Sequence, residues 1–189
     1  HPPLPGHAAV SRRIAAGLNP DVASVASLFL SRWDVATADK APAALRNRLG
    51  LAVGHRSYRS YCELLTSPRW MRALNAGARP QRLLFASTGT KDPKASDVLY
   101  IEGLVAPFTI NTMPENTLKA FADHGKVGDA IPEDGGDGEA VLAQFTRAGV
   151  DLAALAEKLQ RDGADAFVKS WDSLMSVIGS KAAALKKAA

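Results

Sequence analysis

Val22-Ala23-Ser24-Val25-Ala26-Ser27-Leu28-Phe29-Leu30 is a nearly continuous apolar run, interrupted only by small side chains. A run of this length suits a strand covered on both faces, as in a parallel sheet. Periodicity alone does not separate it from a buried helix. The residues that follow decide the matter, because Ser31-Arg32-Trp33-Asp34 ends the run abruptly with polar and charged groups. A second run, Arg82-Leu83-Leu84-Phe85-Ala86-Ser87, also stops at strand length, in Thr88-Gly89-Thr90-Lys91-Asp92-Pro93. Phe108-Thr109-Ile110-Asn111 is a third strand candidate. Helical segments separate the three. Leu45, Leu49 and Val53 share one face within 42–66, and Ser67-Pro68 supplies a cap and a first-turn proline for a helix to about Asn75, ending at Gly77. Ser96–Leu104 is a short helix, and Pro114–His124 another, with Gly125 at its C′ place. Strands alternating with helices predict an α/β fold with parallel strands.

Outward from this centre the pattern changes. Residues 8–17 are helical and lead to the turn signal Asn19-Pro20, while His1-Pro2-Pro3-Leu4-Pro5-Gly6 reads as a linker or a cut edge with no apolar signal-peptide core. On the other side, Pro132–Gly138 is an acidic, Gly-rich loop, followed only by helices at 139–148, 152–161 and 165–185, with Asp151 as an N-cap. Phe167, Trp171, Leu174 and Ile178 recur at helical spacing, and Phe167 and Trp171 read as core. The expected division is therefore 1–20 linker or edge, 21–126 α/β part, and 127–189 helical cap.

Composition narrows the function classes. Of 189 residues 47% are hydrophobic and 22% charged, a globular balance, and 23 basic against 19 acidic side chains leave a net charge of +4. That excess favours anionic ligands. The basic residues are interleaved with acidic ones rather than gathered in a stripe, so small phosphorylated molecules fit better than nucleic acid. One cysteine, Cys62, excludes an internal disulfide framework and fits a reducing compartment, hence a cytoplasmic protein. With four histidines and one cysteine there is no standard zinc cluster, and no apolar stretch approaches the ~20 residues of a membrane helix.

Two strands each end in a cation among hydroxyls: Arg32 after Ser27 and Ser31, and Lys91 after Ser87, Thr88 and Thr90. Ligands of parallel α/β folds bind at the carboxyl ends of the strands. Arg32 and Lys91 are therefore expected close together there, holding one phosphate group with hydroxyls as further donors. The plain alternative pairs Arg32 with Asp34 and Lys91 with Asp92 as surface ions. A desolvated Lys91 could also act as a Schiff-base nucleophile. Ser87–Lys91 lacks P-loop spacing, and Glu133–Glu139 lacks the alternating ligands of a calcium loop. His124 beside Gly125 reads as a cation complementing a helix dipole.

These same stretches resemble a known family. Val25–Asp34, with its Ser…Phe…Arg…Asp pattern, is similar to a transaldolase strand; Arg79–Pro93, Ser96-Asp97-Val98-Leu99-Tyr100 and Asn111-Thr112-Met113-Pro114 resemble signatures of bacterial transaldolases. The likeness runs from about Val22 through Phe167-Val168-Lys169-Ser170-Trp171, and also extends to the transaldolase half of proteins fused to glucose-6-phosphate isomerase. It implies part of a (β/α)₈ TIM barrel, its last three strands or so, with a C-terminal helical region. The implied activity is transfer of a dihydroxyacetone unit between sugar phosphates of the pentose phosphate pathway, in carbohydrate metabolism, through a lysine Schiff base and with no cofactor or metal. By resemblance Ser27 and Arg32 fall on positions contacting substrate and its phosphate, and Ser87–Lys91 on a second phosphate-binding stretch where Lys91 stands in for an arginine. The family's lysine strand, of Ile-Lys-Ile-Pro-Ala-Thr type, has no counterpart in these 189 residues, nor do the strands with its catalytic aspartate and glutamate. A closed barrel takes about 250 residues. The expectation is a fragment, or a chain whose partner is a complementary N-terminal barrel chain or a second copy; a non-catalytic half-barrel that binds phosphosugars or a complementary chain is the alternative.

Overall fold

The computed structural model describes residues 5–188. All three expected strands form, and they pair in parallel. β1 (Ser24–Phe29) lies beside β2 (Gln81–Ala86), and β2 beside β3 (Ile110–Asn111), in the order β1-β2-β3. β3 is shorter than its expected stretch, with two residues in the ladder. Register places Ala26 and Leu28 next to Leu83 and Phe85, and these four share one face. That face carries the core. Leu83, Phe85, Leu30, Tyr58, Tyr61, Tyr100, Leu104 and Ile131 are all buried in one cluster. The other face, bearing Val25, Ser27 and Arg82, is exposed, with Leu84 and Ile110 half-buried.

The helices follow the predicted alternation, with corrections at their ends. α1 (Pro5–Ala15) precedes β1, and its Val10 and Ile14 pack on the cluster of Trp70, Ala73 and Ala78. A short helix α2 (Ser31–Thr37) starts directly after β1, where the sequence reading saw only a polar stop. The expected helix over 42–66 divides into a single 3₁₀ turn at Ala43–Leu45 and α3 (Leu49–Leu65). Asn47, with φ of 58°, marks the division. α4 (Pro68–Asn75) is capped as read, Ser67 Oγ accepting from the Trp70 N–H at 3.2 Å, and Gly77 takes the left-handed conformation after it. α5 (Leu99–Glu102) is a single turn.

α6 (Glu115–His124) ends at Gly125, but for a different reason from the one expected. Gly125 has φ of −67° and an extended backbone, so no left-handed cap is made. A Cβ there would meet the Phe121 ring at 2.1 Å, and this close approach requires glycine. His124 Nε2 lies 2.9 Å from Asp97 Oδ1 and Nδ1 3.3 Å from Asp123 Oδ2. Asp97, and then Asp123, raise the imidazole above its ordinary value. The protonated ring is thus favoured by folding, so this stabilisation is complete below about pH 6.5 and is lost as pH rises through the higher folded value. Thermal melts should show it: His124→Gln is expected to lose stability relative to the parent in mild acid, with the gap closing as the solution is made alkaline. A gap that stays constant across that range would exclude the titration.

α7 (Gly138–Arg147) packs along α3, burying Val141, Leu142 and Phe145. In the acidic loop before it Asp137 pairs with Arg48 at 3.2 Å, and α7 itself adds Glu139. Glu139 accepts a bidentate pair from Arg56 at 2.7 and 2.6 Å and lies 3.1 Å from Arg59. Arg56 holds the Glu139 carboxyl below its usual range.

The second of two compact units is one helix, α8 (Leu152–Ala188), where the sequence suggested two. Asp151 caps it through the Ala153 and Ala154 N–H groups, both at 3.0 Å. Asp162-Gly163 does not break it, because an interior glycine costs only about 1 kcal/mol and Lys158–Asp162 is an i,i+4 ion pair. Phe167 and Trp171, expected in the core, are each 62% exposed. A single helix has no interior of its own, and helical spacing alone cannot tell a stripe that is covered from one that is not.

Candidate active site at the strand carboxyl ends

β1 and β2 end together, and their ends are tied. The Leu30 N–H donates to the Ala86 carbonyl at 3.0 Å and the Ser31 N–H to the Ser87 carbonyl at 3.1 Å. Ser31 Oγ and Ser87 Oγ are 2.8 Å apart. Ser87 holds φ of 55°, a left-handed conformation uncommon for serine, at the point where β2 turns away. In a serine pair one hydroxyl proton is used between the two oxygens and the other stays available, so the pair presents a donor to a ligand. The remaining hydroxyls of this stretch are committed. Thr88 is fully buried and donates to the Thr112 carbonyl at 2.6 Å, while Thr90 donates to the Ser96 carbonyl at 2.7 Å. Thr88 and Thr90 thus brace the loop and hold their protons away from an anion.

Ser27 is exposed on the uncovered face of β1. Arg32 lies in the first turn of α2, with its guanidinium carbon 4.4 Å from the centroid of the Phe29 ring. Neither Arg32 nor Lys91 makes an ion pair among the described residues, and Asp34 and Asp92 have other partners. Asp92 accepts from Asn47 Nδ2 at 2.8 Å and from the Lys94 N–H at 2.9 Å, and Asn47 holds its carboxyl below the usual range. Lys91 lines a cavity of about 320 Å³ together with Ser31, Asp34, Arg46, Asn47 and Tyr100, a volume at the small end of ligand sites. Arg32 is not among the residues lining it. The structure therefore joins Ser31 to Ser87 and sets Lys91 in a cavity with Ser31, while Arg32 stands over Phe29 and Ser27 on the open strand face.

Asp34 is the residue the sequence reading undervalued. It is 6% exposed and accepts from the Leu49 N–H at 2.9 Å, the Gly50 N–H at 3.0 Å and the Tyr100 hydroxyl at 2.5 Å. Arg48, at the cap position of α3, offers no capping side chain, so Asp34 performs that duty from another helix. Burial raises the Asp34 carboxyl, against the pull of its three donors, and burial with the Asp34 charge pushes the Tyr100 hydroxyl up as well. Gly50 is fixed by this contact, since a Cβ there would meet Asp34 Oδ2 at 2.6 Å and the Leu30 carbonyl at 2.8 Å. The only local hint was an α3 start without a capping residue.

The family description Transaldolase/Fructose-6-phosphate aldolase matches residues 7–178. The chain belongs to this family. A transaldolase of Parafrankia sp. is 45% identical over 178 residues, covering 89% of this chain and 48% of the relative. A transaldolase of Thermobifida fusca is 43% identical over 169 residues, with 85% and 46% covered, and one of Neisseria meningitidis 34% over 168 residues, with 88% and 48%. The chain thus spans about half the length of the curated relatives it matches. Its parallel sheet with flanking helices is consistent with part of the barrel of the transaldolase family. Among the described residues no helix is long and apolar enough to cross a membrane.

Proposed function

We propose that this transaldolase-family chain is the phosphate-binding sector of an enzyme that transfers a dihydroxyacetone unit between sugar phosphates in the pentose phosphate pathway of the cytoplasm. The sector corresponds to the last three strands or so of the barrel, with residues 21–126 as barrel and 127–189 as helical cap. The observation that carries the reading is the tied end of β1 and β2, with the Ser31–Ser87 pair across it, Arg32 just past β1 and Lys91 in the loop past β2, in a chain matched to the family over residues 7–178. Arg32 and Lys91 supply charge for one phosphate, the serine pair adds a hydroxyl donor, and Ser27 contacts substrate from the strand face. Each charge-assisted contact of this kind contributes about 1.5–3 kcal/mol. The Schiff-base lysine comes from a complementary barrel chain, and the reaction needs no cofactor or metal.

Calorimetric titration with fructose 6-phosphate tests the pocket. Arg32→Ala is expected to weaken binding at least about tenfold, the factor that ~1.4 kcal/mol represents. Unchanged affinity would remove Arg32 from the site. The exposed face of the sheet, with Val25 and Ser27 in the open, favours a second reading: a non-catalytic half-barrel that binds phosphosugars or a complementary chain. Borohydride trapping with fructose 6-phosphate followed by peptide mapping separates the two, since only the enzyme reading yields a lysine adduct once the complementary chain is present. An adduct on Lys91 in the chain alone would make Lys91 the nucleophile.

A further inference from the structure

We propose that Asp34, together with Tyr100, is a positioning residue for Arg32: it anchors one face of α2 so that the opposite face holds the guanidinium over Phe29 at the end of β1. This rests on the reading of Arg32 as a phosphate ligand for its functional consequence, but not for its geometry.

α2 has seven residues, and Leu30 at its cap makes no side-chain hydrogen bond, so the helix is too short and too poorly capped to hold its direction alone. At its start it is tied to β2 by the Ser31 N–H and the Ser31–Ser87 hydroxyl pair. Further along, the side chain that fastens it to the rest of the fold by hydrogen bonds is Asp34, whose carboxylate takes two backbone N–H groups of α3 and the hydroxyl of Tyr100 on α5. Thr37, the other buried polar side chain of α2, bonds only to carbonyls of its own helix. Residues 32 and 34 are two steps apart on a helix, roughly 200° around the axis, so a buried Asp34 turns Arg32 to the far side. The surroundings of the two side chains agree with that orientation. Arg32 is half-buried against the Phe29 ring rather than paired with a carboxylate, and Gly50 leaves the space through which Asp34 reaches α3. Asp34 touches no substrate in this scheme. It fixes the angle from which Arg32 meets an anion.

Two variants and two readouts test the proposal on the whole 189-residue chain. Asp34→Asn keeps the shape but turns an amide N–H₂ toward a backbone N–H; Tyr100→Phe removes one hydroxyl and leaves both N–H bonds in place. The first readout needs no ligand: the rate at which phenylglyoxal modifies Arg32, followed by peptide mass mapping, with exposed Arg161 as internal control. Both variants are expected to raise the Arg32 rate about two- to fivefold, as the loss of a cation–π contact allows, with Arg161 unchanged. The second readout is affinity for inorganic phosphate. Asp34→Asn should weaken it about tenfold in the parent and not at all in an Arg32→Ala background, because Asp34 acts through Arg32. If Asp34→Asn does not fold, Tyr100→Phe carries both measurements. A folded variant with an unchanged Arg32 modification rate overturns the proposal, as does an equal loss of phosphate affinity with and without Arg32, which would mark a general structural effect. A parent chain that binds no phosphate while its variants still free Arg32 supports the positioning role and rejects the phosphate reading of the site instead.

Discussion

Assayed by itself with fructose 6-phosphate as donor and an aldose phosphate as acceptor, the 189-residue chain is expected to show no transaldolase turnover above background. The proposed reaction depends on an amine that forms a covalent adduct with the ketose carbonyl and so divides one difficult step into two easier ones. Removing the nucleophile from an enzyme of covalent mechanism costs on the order of 10⁶ in turnover, and positioning groups that remain cannot restore it. In the proposed reading this chain carries only positioning groups, Arg32, Lys91 and the Ser31–Ser87 pair, which follow the ends of β1 and β2. The lysine pattern of the family has no counterpart in these residues. Lys91 is exposed beside a cavity rather than enclosed in an apolar pocket. Mixing the chain with the part of a relative that it does not match should raise turnover by several orders of magnitude, because the two then supply amine and phosphate site together. Family-level turnover by the chain alone, in a preparation free of host transaldolase, would overturn both the assignment of the amine to a partner and the reading of Lys91 as a phosphate ligand.

The strands were legible because an apolar run of strand length that stops sharply marks a parallel strand, as β1 and β2 do at Leu30 and Ser87, although the expected cover on both faces is present on one face only. β3 shows the limit of that signal, since only Ile110 and Asn111 enter the ladder. Caps that lie within a few residues of their helix were also readable, as Ser67 and Asp151 demonstrate. Asp34 was not, because the N–H groups it satisfies belong to Leu49 and Gly50, 15 and 16 residues away, and no local pattern announces a cap supplied from another helix. The hydroxyl cluster after β2 was visible as a cluster, but its division of labour was not. Thr88 and Thr90 serve carbonyls at Thr112 and Ser96, and only Ser87 turns to the neighbouring strand end. Gly125 makes the complementary point: its place past a helix end suggested a left-handed cap, whereas the demand comes from the ring of Phe121. Local chemistry is readable from order in the chain; partners brought in by the fold are not.

In solution the isolated chain is expected to bind a hydrophobic dye strongly and to associate rather than stay a monodisperse monomer. Two separate apolar surfaces lead to this. On the sheet, β1 and β2 carry Val25 and Leu84 on the face opposite the core, and Val25 is 45% exposed. Both outer strands also leave an edge without a neighbour among the described residues, and such edges recruit other strands. On α8, Phe167, Trp171, Leu174 and Ile178 recur every three or four residues along one side, with Val168, Met175 and Leu185 widening the stripe, and all seven are exposed. Exposed apolar patches larger than a few hundred Å² mark an interface or an aggregation site. Seven side chains of this size reach that area, at roughly 1.5–3 kcal/mol each for full burial. Mutations separate the two surfaces. Trp171→Glu with Ile178→Glu places charge at the centre of the stripe and should reduce association measured by light scattering, if α8 drives it, with little change in thermal stability, because neither side chain is packed in the core. Val25→Lys does the same for the sheet face. A chain that remains monomeric and dye-silent at micromolar concentration would mean that both surfaces are covered, and the reading of this chain as one sector of a larger barrel would fall with that result.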